Sequence, residues 1–140
     1  MEKKMNNKGF SLVELIIVVA IMAVLIGVLA PTYLKYVESS KRTSDCTSIG
    51  SILDACEVLA IDPSSDFDGD TITFDSDLKC SVGDSELAAI TGCNTLQLQG
   101  KWGSGFSITV AVNSDGKVTF TGSGAPDFSD YSTALESRIQ

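Results

Sequence analysis

Glu14 is the residue whose chemistry asks most of its surroundings. Within Phe10 to Ala30, FSLVELIIVVAIMAVLIGVLA, it is the only charge, and Ser11 is the only other polar side chain. An acid inside a bilayer costs roughly 2.5 to 3.5 kcal/mol at the centre and less near the edge, so it must face a partner or carry a proton. Its own helix supplies no cation: the nearest basic side chains are Lys8 behind it and Lys35 beyond Pro31. A cation from another chain, or one created by processing, is what this position requires. Just ahead lies Gly9, a small residue between a basic leader and the apolar run. A cut after Gly9 leaves the helix on the mature chain, unlike a secretory signal peptide, which loses its apolar stretch on processing.

Two further sets of residues could do chemistry. Cys46, Cys56, Cys80 and Cys93 form an even set, and four cysteines permit three complete pairings. Asp66, Asp68 and Asp70 alternate, with Asp77 at the twelfth position counted from Asp66, which invites a calcium reading. Against it, Gly69 falls at the fourth position and Thr71 at the sixth, where an EF-hand loop needs its glycine, so a solvated turn is the expected state of this segment. Histidine is absent, which removes Ser-His and Cys-His nucleophile pairs and the commonest neutral metal ligand. With no C-x-x-C spacing either, a zinc site is not expected. No enzyme activity and no cofactor is expected.

The elements that position these residues follow from pattern. Phe10 to Ala30 makes a helix of roughly 30 Å, enough to span a hydrocarbon core. Pro31 forfeits the bond to the Gly27 carbonyl, and Gly27 is a poor helix former, so Gly27 to Pro31 is a soft spot. The helix nonetheless resumes: Cys46, Ile49, Leu53, Cys56 and Ala60 recur at helical spacing, with Ile52 and Leu59 broadening the stripe, until Asp62-Pro63 ends it. Tyr33 and Tyr36 read as packing or membrane-interface residues. Beyond the helix, Thr71 to Phe74, NTLQLQ (Leu96, Leu98), FSITVAV (Phe106, Ile108, Val110, Val112) and KVTFTG (Val118, Phe120) alternate as strands. Asn113-Ser114-Asp115-Gly116 turns the last two into an antiparallel hairpin. The apolar face of this sheet must be covered, the stem stripe is the available cover, and Trp102 is expected to anchor the core. A tail helix from Ser129 would put Tyr131, Leu135 and Ile139 on one side, with Thr133 and Glu136 at capping-box spacing. The fold class is therefore α+β.

The motif Lys8-Gly9-Phe10-Ser11-Leu12-Val13-Glu14-Leu15, followed by an aliphatic run and Pro31, resembles the class III signal peptide and N-terminal helix of type IV prepilins and pseudopilins. The resemblance covers roughly Lys8 to Arg42. It implies four segments: a leader, 1–9, removed by a prepilin peptidase; a transmembrane or filament-core helix, 10–30; an amphipathic stem, 31–61; and a globular head, 62–140. It also implies N-methylation of Phe10 and assembly into a filament with helices packed inside. Cleavage would remove Lys3, Lys4 and Lys8 along with Glu2, taking the net side-chain charge from −8 to −10. It would also create an α-amino cation at Phe10. Two unit charges about 4 Å apart at an effective dielectric near 20 attract by roughly 4 kcal/mol, enough to offset much of a buried acid's penalty. In a staggered array of parallel helices, Glu14 of one subunit can meet the Phe10 amine of another.

Basic residues flanking the helix tie at three on each side, so charge counting leaves the orientation open. The family places the N terminus inside, and cysteines that pair in an oxidising exterior agree with it. On one helix, Cys46 and Cys56 stand roughly 15 Å apart, beyond disulfide reach. The expected bridges are therefore Cys46 with Cys80 and Cys56 with Cys93, or the exchanged pairing. The exchange is favoured because Cys56 and Cys80 both lie near the loop; reduced core thiols are the alternative in an anaerobic producer.

Eight acidic residues fall between Asp62 and Glu86, and a surface of that sign repels phosphate, so no direct nucleic-acid partner is expected. The expected partners are further copies of the chain, minor pilins, the peptidase, the assembly machinery and the cytoplasmic membrane. The leading expectation is a pilin, membrane-anchored by a single pass and then extracellular in a filament serving adhesion, motility or aggregation. A pseudopilin of a secretion or DNA-uptake machine, and a membrane-tethered binding module, are the alternatives.

Overall fold

The computed structural model describes residues 9–140; leader residues 1–8, with Lys3, Lys4 and Lys8, lie outside them. The element order is α1 (Leu12–Ile61), β1 (Gly69–Phe74), β2 (Cys80–Ser81), α2 (Ser85–Thr91), a 3-10 turn (Cys93–Thr95), β3 (Phe106–Val112), β4 (Val118–Ser123) and α3 (Thr133–Arg138). Two compact units divide the chain between Val37 and Glu38.

In the first unit, α1 is helical from Leu12, with Pro31 inside it. This part of α1 is long and apolar enough to cross a membrane, and none of its apolar window is buried. Tyr33 and Tyr36 are exposed.

The second unit is a four-stranded antiparallel sheet, ordered β2-β1-β3-β4, with the rest of α1 on its apolar face. Ile72 lies opposite Ile108, and Val110 opposite Phe120. Their side chains, with Phe74 and Phe106, face a core completed by Cys46, Ile49, Ile52, Leu53, Cys56 and Leu59 of α1. A helix buried along a stripe of this kind needs little intrinsic propensity, because burial of the stripe holds it. The fold is α+β, a long N-terminal helix on a small antiparallel sheet, as its periodicities require.

Three local expectations are corrected. NTLQLQ forms no strand of the sheet: Cys93–Thr95 is a 3-10 turn, and only Gln97 makes an isolated antiparallel bridge, with Lys79. The alternation of Leu96 and Leu98 reflects an extended segment whose backbone pairs with Leu78 and Cys80. Second, α2 was not anticipated. Its ends are nonetheless written in the chain: the Asp84 side chain accepts from the Leu87 N–H, and Gly92, at φ 63°, closes it in the left-handed conformation. Third, α3 is capped by Ser132, whose hydroxyl accepts from the Leu135 N–H, rather than by Thr133. The Glu136 carboxylate instead takes the Phe128 N–H from the preceding loop.

The disulfide assignment is also corrected. Cys80 bonds Cys93 across a Cα separation of 5.4 Å, while Cys46 and Cys56 are free and buried. Neither stem-to-sheet bridge forms. Cys46 and Cys56 fill the core between stem and sheet as small apolar side chains. The two bonded cysteines instead flank α2, and their bridge closes that local loop. Removing it would cost about 3 kcal/mol for a loop of this size.

The two free thiols make a measurable prediction. Burial pushes the Cys46 thiol up from 9.0 to about 11 and the Cys56 thiol up from 9.0 to about 12. Their folded values lie above the unfolded ones, so the protonated thiols favour folding fully below about pH 9. That stability is then lost as pH rises through 9 toward 11 or 12. Chemical denaturation between pH 8 and pH 11 should show this fall, and the Cys46→Ala/Cys56→Ala variant should show a shallower one. Alkylation without reductant should label two thiols after unfolding and none before it.

Candidate functional site

The exposed apolar helix and its start form the candidate site. Gly9 and Phe10 precede α1 and are not helical; Phe10 is 91% exposed. Ser11 stands at the N-cap, and its carbonyl accepts the first helical bond, from the Leu15 N–H at 3.2 Å. The Glu14 carboxylate accepts from the backbone N–H of Ser11 at 3.0 Å. Glu14 thus has a partner in its own chain, one not expected from the sequence. The signal was present as Ser11-x-x-Glu14, a serine followed three residues later by a glutamate ahead of an apolar run. From Leu12 to Leu29 the large apolar side chains are exposed, each by half or more. Lone exposed leucines are ordinary, but a contiguous sleeve of them requires lipid or other helices around it. Gly27, with nothing within 4 Å of a Cβ placed on it, and Pro31 both lie within this stretch of α1.

In the second unit a separate polar cluster fixes a loop onto the stem. Asp45 is 4% exposed, and its carboxylate accepts from the Gln99 N–H at 2.9 Å, the Gly100 N–H at 2.7 Å and the Trp102 indole N–H at 2.7 Å. A buried carboxylate is tolerated when its lone pairs are taken up in this way. Gly100 is required here, because a Cβ on it would stand 2.7 Å from the Arg42 side chain and 2.9 Å from the Asp45 carboxylate. Arg42 lies over the rings of Trp102 and Tyr131, at 5.3 and 5.4 Å, and donates to Glu38, to the Tyr131 hydroxyl and to the Lys101 carbonyl. The Lys101 N–H, with Arg42 beside it, holds the Glu38 carboxyl below its usual value. Trp102 is thus a core anchor, and its indole N–H has a specific acceptor. Asp45 was missed from sequence although it stands four residues before Ile49 on the apolar stripe, where an acid must find donors.

The aspartates considered for calcium are not assembled. Asp66, Asp68 and Asp77 are exposed, and Asp70 spends its carboxylate on the Thr71 and Asp84 N–H groups. Among the described residues no three His, Cys, Asp or Glu gather where they could hold a metal ion.

An apolar, unburied helix led by a small residue and an aromatic, with one acid in its first turn and a small antiparallel sheet after it, is an α+β, pilin-like arrangement. The family model for the prokaryotic N-terminal methylation motif matches residues 4–30, which supports a type IV pilin or pseudopilin. No curated protein and no solved structure matches the chain. Helix and motif are together consistent with membrane anchoring before assembly.

Proposed function

We propose that this chain is a type IV pilin, a structural subunit and not an enzyme, that polymerises through its N-terminal helix into filaments on the cell surface. The observation that carries the reading is the helix from Leu12 to Leu29, apolar on every side and unburied, with Glu14 as its one acid, behind a methylation motif. A prepilin peptidase cuts between Gly9 and Phe10, and Phe10 is N-methylated. The subunit waits in the cytoplasmic membrane with its N terminus inside, then leaves lipid for a bundle of like helices. Neighbouring helices replace lipid contacts by close packing, so the exchange needs a polar term to set register, and Glu14 against a neighbour's Phe10 amine supplies it. Gly27 and Pro31 give the helix a place to bend as the bundle closes. Segments 1–9, 10–30, 31–61 and 62–140 then act as leader, core, stem and head. Minor pilins and the assembly machinery are the remaining partners, and adhesion, motility or aggregation belongs to the fibre.

Electron microscopy of producing cells tests the reading. Long surface fibres composed mainly of this chain are expected. Their absence, with the chain retained in short envelope-bound assemblies, would assign it to a pseudopilin instead.

A further inference from the structure

We propose that Glu14 has a task before assembly: it caps its own helix. This extends the pilin reading to the unassembled subunit and rests on it only for the later fate of the acid. Ser11 begins α1 and its backbone N–H points at the Glu14 carboxylate, 3.0 Å away. The first N–H groups of any helix lack a partner within it, and near hydrocarbon no water replaces that partner. A carboxylate in the first turn satisfies one of these donors and also sits at the positive end of the helix dipole. The acid that looks orphaned in the apolar run is therefore held, hydrogen-bonded, at the end of the helix where a neighbour's amine would arrive. Its side chain is aimed toward the N terminus before any neighbour is present.

The same bond sets where the helix begins. With its N–H given to the Glu14 side chain, Ser11 stands as the cap, and the helix starts at Leu12. Gly9 and Phe10 remain outside it and exposed, with the peptide bond between them two residues ahead of the first helical residue. Glu14 is thus a positioning residue for its own carboxylate and for the first turn of the helix.

Amide hydrogen exchange at Ser11, read by NMR on the full-length chain in lipid nanodiscs, tests this. Glutamine keeps a carbonyl oxygen that can cap, whereas alanine does not. Ser11 should therefore exchange about fivefold or more faster in Glu14→Ala than in wild type, while Glu14→Gln stays close to wild type. Equal exchange in wild type and Glu14→Ala, or exchange in Glu14→Gln as fast as in Glu14→Ala, would overturn the cap. Filament yield separates this from the pilin reading. Should Glu14→Gln protect Ser11 and also build filaments at wild-type yield, the cap stands and the charge pairing between subunits fails. An unprotected Ser11 in wild type refutes the cap whatever the filaments do.

Discussion

Glu14→Ala is expected to yield a subunit that is cleaved and inserted in the membrane but forms filaments at no more than about a tenth of the wild-type amount. The magnitude follows from the pairing it would remove. An ammonium and a carboxylate about 4 Å apart attract by roughly 4 kcal/mol at an effective dielectric near 20, and each 1.4 kcal/mol is a factor of about ten in an equilibrium. Even if most of that attraction is spent on desolvation, the remainder recurs at every subunit of a polymer. Insertion should not suffer, because removing an acid from an apolar helix favours the bilayer. Glu14→Gln should assemble as poorly as Glu14→Ala, since it keeps the shape and the acceptor at Ser11 but not the charge. Filament yield by shearing and microscopy, set beside the amount of processed subunit in the membrane, measures both. Wild-type yield from either variant contradicts the role assigned to the charge.

The second large effect lies in the head. Asp45→Ala should destabilise it by about 3 kcal/mol or more, because the Gly100 and Trp102 N–H groups would lose their acceptor while staying buried, and the part-buried Gln99 N–H would lose it as well. For a domain near a hundred residues this corresponds to a fall in Tm of roughly 10 to 20 °C. Asp45→Asn should also be damaging, since its amide would turn an N–H₂ toward one of the donors. Asp115→Ala, in the exposed turn between β3 and β4, should change stability by no more than about 0.5 kcal/mol. Thermal melts of the full chain in detergent compare the three. A Tm for Asp45→Ala within a few degrees of wild type would show that the loop from Gln99 to Trp102 is held by something other than that carboxylate.

What could be read in advance, and what could not, has a physical pattern. The apolar helix rests on an unbroken apolar run, and the stem stripe from Cys46 to Ala60 and the β3–β4 hairpin on periodicity sustained over many residues, where burial of one face leaves little choice. Short elements depend on single side chains. α2 is set by Asp84 at one end and Gly92 at the other, and α3 starts at Ser132 because its hydroxyl reaches Leu135, one residue before the expected cap. Cysteine pairing depends on three-dimensional distance. Counting four cysteines suggested that all were bonded, whereas Cys46 and Cys56 serve as small apolar residues of the core and only Cys80 and Cys93 come within reach. At the candidate site, the acid at Glu14 and the junction at Gly9–Phe10 were legible as a motif. Its hydrogen bond to Ser11 was not, because it depends on one side chain folding back onto a backbone N–H three residues away.

Mass spectrometry of the subunit taken from purified filaments tests the central claim most directly. The account predicts a chain whose first residue is Phe10, carrying one added methyl group on its amine and lacking residues 1–9. A filament built of subunits that still begin at Met1 would contradict it, since no amine would then exist at Phe10 to meet Glu14.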